Sequence, residues 1–206
     1  MKYLPVIIVI GLALSLCNLA DKLHGKKSSS SSGSGSSSSD ISAEHGEATA
    51  AQLAALSGGQ PIKWDRQGMS WTVPPGWSEQ SNEAKEFVWS SGGADHASLI
   101  VSISPMDESF PYQESIKAEY EAAKSRAKNG EVDEVKYLEI DGLTGVQFRE
   151  ANPEKPDDSR RLQWLSYRKF TGQLQGINVM LASDGKGFPK HQDALYGILY
   201  SMKLTH

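Results

Sequence analysis

Few residues of this 206-residue chain have the type and spacing that a catalytic, metal-binding or nucleotide-binding site requires. The sequence contains no G-x-S-x-G, H-E-x-x-H, P-loop or G-x-G-x-x-G pattern, so the common nucleophilic, zinc and nucleotide sites have no local signature. Cys17 is the single cysteine, which excludes an internal disulfide and any metal site built from several thiolates. The sequence therefore predicts no catalytic residue, no cofactor, no metal site and no disulfide partner.

Two residue pairs come closest to a metal-ligand pattern, Asp95-His96 and Asp107-Glu108. They flank opposite ends of one predicted strand, and eight strand residues span about 26 Å, so the pairs cannot share an ion. A solvated turn is the favoured interpretation of Asp95-His96, and a metal site is its alternative. The acidic loop 152–159 is a weak calcium candidate, for which a solvated loop is again favoured.

The densest basic pairs are Arg160-Arg161 and Arg168-Lys169, with Trp164 and Tyr167 between them. Basic and aromatic side chains together can bind nucleic acid. The formal charge of the chain is −4, however, and residues 1–59 carry four groups of each sign, so the whole deficit belongs to the remainder. A mildly acidic domain has no electrostatic attraction for a phosphate backbone, and we predict no nucleic-acid partner.

Cys17 directly follows an uncharged apolar run, residues 6–16. Eleven residues match the apolar core of a secretory signal, and as a helix they would reach roughly 16 Å, about half the hydrocarbon thickness of a bilayer. The stretch "LSLC" (14–17) resembles the bacterial lipoprotein signal, in which the cysteine becomes the lipidated first residue of the mature chain. Leu14 and Ser15 fit that pattern, whereas Leu16 departs from it, because Gly, Ala or Ser usually stands there.

Residues 1–17 are therefore predicted to be a signal sequence with lipid attachment at Cys17. Two alternatives stay open, an ordinary cleaved signal and an uncleaved anchor, and in either case Cys17 would be only a small apolar residue. Residues 18–59 are predicted to be a flexible tether, since residues 28–39 are only Ser and Gly and cannot bury apolar area. A coil of about 40 residues spans roughly 35 Å. Good helix formers near 47–56 predict a short helix within this tether, which either docks or stays frayed.

The remaining residues, 60–206, are predicted to form one globular domain. Alternating patterns and turn signals indicate seven strands, at 69–77, 85–91, 97–105, 132–140, 143–151, 161–170 and 173–183. Asp141-Gly142 and Thr171-Gly172 predict two hairpins, and amphipathic helices are predicted near 111–128 and 187–200. This order predicts an α+β layered sandwich with a largely antiparallel sheet of about seven strands and two main helices. Because neither face of 161–170 is cleanly polar, the sheet should be covered on both sides.

Five tryptophans belong to this domain, and they are expected in the core. Trp77 is the exception, because the preceding Pro-Pro-Gly turn can leave it half exposed.

Four stretches of the domain are similar to the PsbP-like fold superfamily, and together they cover about 68–206. They are "WTVPPGW", "IDGLTGVQF", "WLSYRKFTGQLQGINVMLA" and "ILYSMKL". That superfamily includes the extrinsic photosystem II subunit, a yeast Ran-binding import factor and LpqN-type lipoproteins. The resemblance implies a binding or assembly module, while the partner does not carry over, because fold does not determine function.

These observations predict an exported module without catalytic activity, anchored to a membrane of the cell envelope and binding a partner, expected to be a protein. One alternative is an exported enzyme or small-molecule binder whose site is assembled from dispersed residues. A pocket with convergent polar groups and shifted pKa values would support it. A photosynthetic assembly factor is a further alternative.

Overall fold

Fourteen helices and strands make up the part of the chain that the computed structural model describes, residues 41–93 and 95–205. In chain order they are β1 (Glu44–His45), α1 (Ala50–Ala55), β2 (Gln60–Trp64), β3 (Met69–Val73), β4 (Trp77–Asn82), β5 (Glu86–Ser91), β6 (Ser98–Pro105), α2 (Tyr112–Lys128), β7 (Val132–Ile140), β8 (Leu143–Glu150), β9 (Ser159–Phe170), β10 (Gln173–Asp184), α3 (Phe188–Tyr200) and β11 (Lys203–Leu204). None of these helices is long and apolar enough to cross a membrane.

The strands form two sheets. The main sheet has the order β1-β7-β8-β9-β10-β6-β5-β4, and every neighbouring pair is antiparallel except β1 with β7. A small antiparallel sheet has the order β11-β3-β2. The predicted α+β layered sandwich with a largely antiparallel sheet is confirmed. All seven predicted strands are present, and β1, β2, β4 and β11 are strands that the sequence pattern did not predict.

Two tight turns determine the register of the longest hairpins. At Asp141-Gly142 both central residues have positive φ, 49° and 80°, and at Thr171-Gly172 the values are 47° and 82°. Two consecutive residues of positive φ make the turn whose twist matches that of the flanking strands. The predicted hairpins β7–β8 and β9–β10 are therefore confirmed.

The main sheet is covered on both faces, as predicted from residues 161–170. Trp164 is fully buried on the face under α3, in the larger core, where Phe87 stacks between Trp64 and Trp71 at centroid distances of 5.5 and 5.6 Å. The larger core also contains Trp77, which is only 6 % exposed, so the expectation of a half-exposed Trp77 was wrong. On the opposite face, α2 covers a smaller apolar cluster.

The strand β1 and the helix α1 both lie within the predicted tether, residues 18–59. The main-chain N–H of Gly46 donates to the carbonyl of Glu139 at 2.8 Å, which continues the pairing of β1 with β7. α1 begins with a capping box between Thr49 and Gln52, and Leu56 after it is buried against the larger core. The end of the predicted tether therefore packs on the folded unit, while Cys17 and residues 18–40 lie outside the described residues.

Candidate functional site

A groove of about 400 Å³ lies between the first turns of α2 and the ends of β7 and β9. We call it the tyrosine groove. It is lined by Tyr112, Gln113, Ile116, Lys117, Tyr137, Gly142, Leu143, Thr144 and Tyr167.

Three elements bring the tyrosines of this groove together. Tyr137 on β7 and Tyr167 on β9 both project toward α2 and are half-buried. The ring of Tyr137 contacts that of Tyr120 at a centroid distance of 5.5 Å, and Tyr167 contacts Phe110 at 5.2 Å. Tyr112, in the first turn of α2, is 37 % exposed and stands at the rim of the groove.

The chemistry of the tyrosine groove is that of a contact surface. Burial, together with the negative charge of Glu119, raises the pKa of Tyr167, so its phenol stays protonated and can donate a hydrogen bond. Lys117 is exposed and adds one positive charge at the edge. Rigid aromatic rings that carry polar hydroxyls are enriched in protein interfaces, and a polar rim commonly surrounds them.

A second group of polar residues lies between β7, β8 and α3. We call it the Glu134 network; its members are Glu134, Gln147, Arg149, Tyr196 and Tyr200. The Tyr196 hydroxyl donates to Glu134 at 2.7 Å and accepts from Arg149 at 3.1 Å. The side-chain amide of Gln147 donates to Glu134 at 2.7 Å, and Tyr200 donates to the amide oxygen of Gln147 at 2.9 Å.

Burial and charge shift the pKa values in the Glu134 network. Burial raises the pKa of Tyr200 to about 12. It also raises the pKa of Tyr196, and the hydrogen bond to Glu134 and its charge act in the same direction. Burial alone would lower the pKa of Arg149, but the carboxylates of Asp133 and Glu134 and the neighbouring Tyr196 outweigh it and raise that pKa. The side chains of Tyr196, Tyr200 and Arg149 therefore keep their protons at neutral pH.

A cavity of about 230 Å³ adjoins the Glu134 network, and residues from the start of the folded unit line its other side. The lining includes His45, Thr49 and Gln52 next to Glu134 and Tyr196. These convergent polar groups with shifted pKa values meet the criterion for the alternative of a dispersed small-molecule or enzymatic site. The cavity is nevertheless smaller than the roughly 300–1,000 Å³ of common ligand sites.

Arg168 on β9 is a buried cation, with only 8 % of its surface exposed. Its Nη2 donates to the main-chain carbonyl of Gln67, and its guanidinium lies 4.3 Å from the ring centroid of Phe170. The Nε and Nη1 atoms are buried without a hydrogen-bond partner, as is the side-chain oxygen of the cross-strand neighbour Gln175. Burial lowers the pKa of Arg168 to about 10.

The structure separates the pairs that resembled metal ligands. The carboxylate of Asp95 accepts from Lys190 at 3.1 Å, which lowers the pKa of Asp95, and Asp107 accepts from the Ser109 hydroxyl at 2.6 Å. In the acidic loop, Asp157 pairs with Lys186 at 2.6 Å. Within residues 41–93 and 95–205, no three His, Cys, Asp or Glu side chains are close enough together to hold a metal ion.

The basic pairs are likewise divided among separate contacts. Arg160 donates to Asp133 and Arg161 to Glu150, whereas Arg168 is buried and Lys169 is exposed. Cys17, the predicted lipid attachment site, lies outside the described residues.

Neither the tyrosine groove nor the Glu134 network was predicted from the sequence. Their residues come from strands and helices far apart in the chain, and each strand residue shows only that it lies on one face of the sheet. The one available signal was the alternation in "RLQWLSYRKF", which places Leu165 and Tyr167 on the face opposite Trp164.

No protein-family model matches this sequence, and a search of curated proteins finds no match either. Among solved structures, LpqN of Mycobacterium tuberculosis, described as involved in cell envelope biogenesis, aligns with a TM-score of 0.51 at 11 % identity, over 72 % of this chain and 86 % of that one. Cyanobacterial PsbP from Synechocystis sp. PCC 6803 aligns with a TM-score of 0.47 at 12 % identity, over 71 % of this chain and 92 % of that one.

The Saccharomyces cerevisiae Ran-binding protein Mog1p aligns with a TM-score of 0.43 at 11 % identity, over 71 % of this chain and 95 % of that one. A Bacteroides thetaiotaomicron protein aligns with a TM-score of 0.45 at 12 % identity over 68 % of this chain, which spans only 46 % of that protein. The predicted resemblance to the PsbP-like fold is confirmed, and the likeness to LpqN carries it. At such low identity the likeness shows the fold alone.

Proposed function

We propose that this chain is an exported, membrane-tethered binding or assembly module, without catalytic activity, that holds a protein partner in the tyrosine groove. The groove is the observation that carries the proposal. It combines three tyrosine rings, a buried Ile116 and an exposed Lys117 within one open depression of about 400 Å³. Tyrosine and other aromatic side chains are enriched at the energetic centres of protein interfaces.

The tether part of the proposal is supported by the sequence. Cys17 after the apolar run 6–16 is suited to a lipid anchor, and the Ser/Gly tract 28–39 would let the folded unit move away from the membrane surface. LpqN, which has the same fold, is described as involved in cell envelope biogenesis, and we propose a similar compartment for this chain.

Site-specific photocrosslinking in native membranes tests the tyrosine groove. A photoreactive amino acid replaces Tyr112 at the rim in the full-length chain, and the matched control replaces Leu53, which is 59 % exposed on α1 and lies outside the groove. We expect a discrete protein adduct from position 112 and none of that mass from position 53. The same adducts from both positions, or none from either, would contradict the proposal.

Metabolic labelling with palmitate tests the anchor separately. The full-length chain should incorporate the label, and Cys17→Ser should not, because no other cysteine is present. Equal labelling of the two chains would remove the lipid anchor while leaving the groove proposal standing.

A second function, a small-molecule binder or enzyme, is favoured by the cavity beside the Glu134 network, where polar groups with shifted pKa values converge. We give it second place because the polar atoms of the network already bond to one another. Native mass spectrometry of the wild-type chain and of Glu134→Gln distinguishes the two functions. A small molecule retained by the wild-type chain alone would favour the cavity over the groove.

A further inference from the structure

Arg168 differs from every other arginine in the charge that surrounds it. Each of the remaining five lies within 4.0 Å of a carboxylate: Arg66, Arg126, Arg149, Arg160 and Arg161. Arg168 has no carboxylate within that distance among the described residues, although it is one of the most buried charged side chains. Its three N–H groups on Nε and Nη1 have no acceptor.

A buried charge is normally paired, because removing it from water without a counter-charge is costly. Within the chain, the other five arginines are paired with five carboxylates, those of Glu83, Glu131, Asp133, Glu134 and Glu150. The counter-charge of Arg168 is therefore expected from outside the polypeptide. A singly charged oxyanion would neutralise the guanidinium and accept the free N–H groups.

The space beside Arg168 suits a ligand with an apolar body. A cavity of about 370 Å³ is lined by Arg168, Phe170 and Leu204 together with Leu143 from the β7–β8 hairpin, and it adjoins the tyrosine groove, with which it shares Gly142 and Leu143. This volume falls within the range of about 300–1,000 Å³ that small-molecule sites occupy. Lys169, Thr171 and Thr205 add polar groups to the lining, but Lys169 is exposed, so Arg168 is the one buried cation of the cavity, which disfavours a doubly charged phosphate.

We propose that this cavity binds a small monocarboxylate with an apolar body, whose carboxylate pairs with the guanidinium of Arg168 and whose body contacts Phe170, Leu204 and Leu143. The site adjoins the tyrosine groove at Leu143, but Arg168, Phe170 and Leu204 belong to this cavity and not to the groove.

Phe170 controls access to this site. Its ring lies over the guanidinium, whose Nε and Nη1 are closed to solvent. Phe170 is the last residue of β9, next to the turn at Thr171-Gly172, and it is only half-buried, so its ring can move aside without disturbing the core. A ligand reaches the free N–H groups by that movement, and truncating the ring should ease entry.

Nitrogen-15 NMR of the full-length chain tests the proposal, because Arg168 Nε–H gives its own signal. The probes are benzoate, benzyl alcohol, which keeps the ring without the charge, and inorganic phosphate, which keeps charge without the ring. Benzoate should shift the Arg168 signal saturably, while the other two should not. Arg168→Lys should weaken benzoate binding at least about tenfold, since hydrogen bonds to a charged group are lost.

Two variants separate binding from folding effects. Lys128→Met removes an exposed charge on α2, away from this cavity, and should leave benzoate affinity unchanged, whereas Phe170→Ala should strengthen it or speed its entry. The proposal is overturned if benzoate produces no saturable shift in either the wild-type chain or Phe170→Ala. It is also overturned if benzyl alcohol or phosphate binds as well as benzoate, or if Lys128→Met weakens binding as much as Arg168→Lys.

Discussion

At the scale of single residues, two buried arginines have opposite surroundings. Arg160 is 5 % exposed, donates to Asp133 and to the carbonyl of Glu150, and lies over the ring of Phe188 at 4.7 Å. Arg168 is 8 % exposed and donates only to the carbonyl of Gln67. Removing Arg160 takes a donor from Asp133 and from the carbonyl of Glu150, whereas removing an unpaired buried charge relieves a desolvation cost.

The same substitution should therefore affect the two arginines differently. Arg160→Met is expected to lower the free energy of unfolding by about 2 kcal/mol, because the carbonyl of Glu150 loses its donor and Asp133, which keeps Arg149, loses one of two partners. Arg168→Met should stay within about 1 kcal/mol of the wild-type chain or exceed it, since the lost bond to Gln67 is offset by the relieved charge. Urea unfolding at neutral pH measures both. Equal destabilisation by the two variants would show that Arg168 is not an uncompensated charge.

The tyrosines of the Glu134 network predict a loss of stability at alkaline pH. The pKa of Tyr200 is raised to about 12 by burial, whereas an unfolded tyrosine has a pKa of about 10. The folded chain therefore holds the proton that the unfolded chain releases, so stability is fully present below about pH 10 and is lost as the pH rises toward 12. The loss should be about 2 kcal/mol, with partial solvent screening included.

The pH dependence of unfolding in urea measures this effect. The free energy of unfolding should fall less steeply between pH 10 and 12 in Tyr200→Phe, and less still when Tyr196→Phe is added. An identical slope in all three chains would refute the assignment to these tyrosines.

At the scale of elements, α1 approaches α3 at a position where only glycine fits. A Cβ on Gly197 would lie 2.8 Å from the carbonyl oxygen of Gln52 and 3.1 Å from the side chain of Leu56. Helix propensity alone favours alanine over glycine by about 1 kcal/mol, so steric and intrinsic effects oppose each other here. The main-chain contact decides the sign, because the carbonyl of Gln52 cannot move without displacing α1.

Gly197→Ala is therefore expected to destabilise the chain by about 1–2 kcal/mol, through overpacking against α1. Limited proteolysis should also cut the segment 47–58 faster in this variant. Gly92→Ala is the control, because a Cβ there meets nothing within 4 Å, and its effect should stay within about 0.5 kcal/mol. If Gly197→Ala is more stable than the wild-type chain, α1 can shift away from the added methyl group and the overpacking argument is wrong.

At the scale of the whole molecule, the last part of the predicted tether packs on the folded unit. β1 extends the main sheet beside β7, and α1 carries Leu56 into the larger core. Residues 44–56 thus contribute contacts to the domain and line the cavity beside the Glu134 network. Removing these residues should therefore lower the free energy of unfolding.

A chain that starts at residue 58 should be less stable than one that starts at residue 41 by about 2 kcal/mol, the cost of losing a buried leucine and its neighbours. Urea unfolding of the two chains measures the difference. Leu56→Ala in the longer chain should account for most of it, and Leu53→Ala, at an exposed position, should account for little. If the two chains are equally stable, residues 41–57 do not stabilise the folded unit.

The strands that the sequence predicted are those with strong alternation or a tight turn beside them. β7 to β10 carry Asp141-Gly142 and Thr171-Gly172, whose backbone conformation is local. β1 escaped prediction because it is two residues long and depends on β7 for its pairing. β4 escaped because only Trp77 among its six residues is buried, so the strand shows no apolar alternation.

The sequence by itself determined the α+β class, the two long hairpins and the lack of a local catalytic signature, because these depend on periodicity, turn residues and contiguous motifs. The export signal and lipid attachment at Cys17 stay predictions from the same source. Only the tertiary structure decided that Tyr112, Tyr137 and Tyr167 line one groove, and that Arg168 lies buried without a carboxylate. Those outcomes depend on which strand faces are covered by distant elements, and no local pattern specifies what a side chain will meet across the sheet.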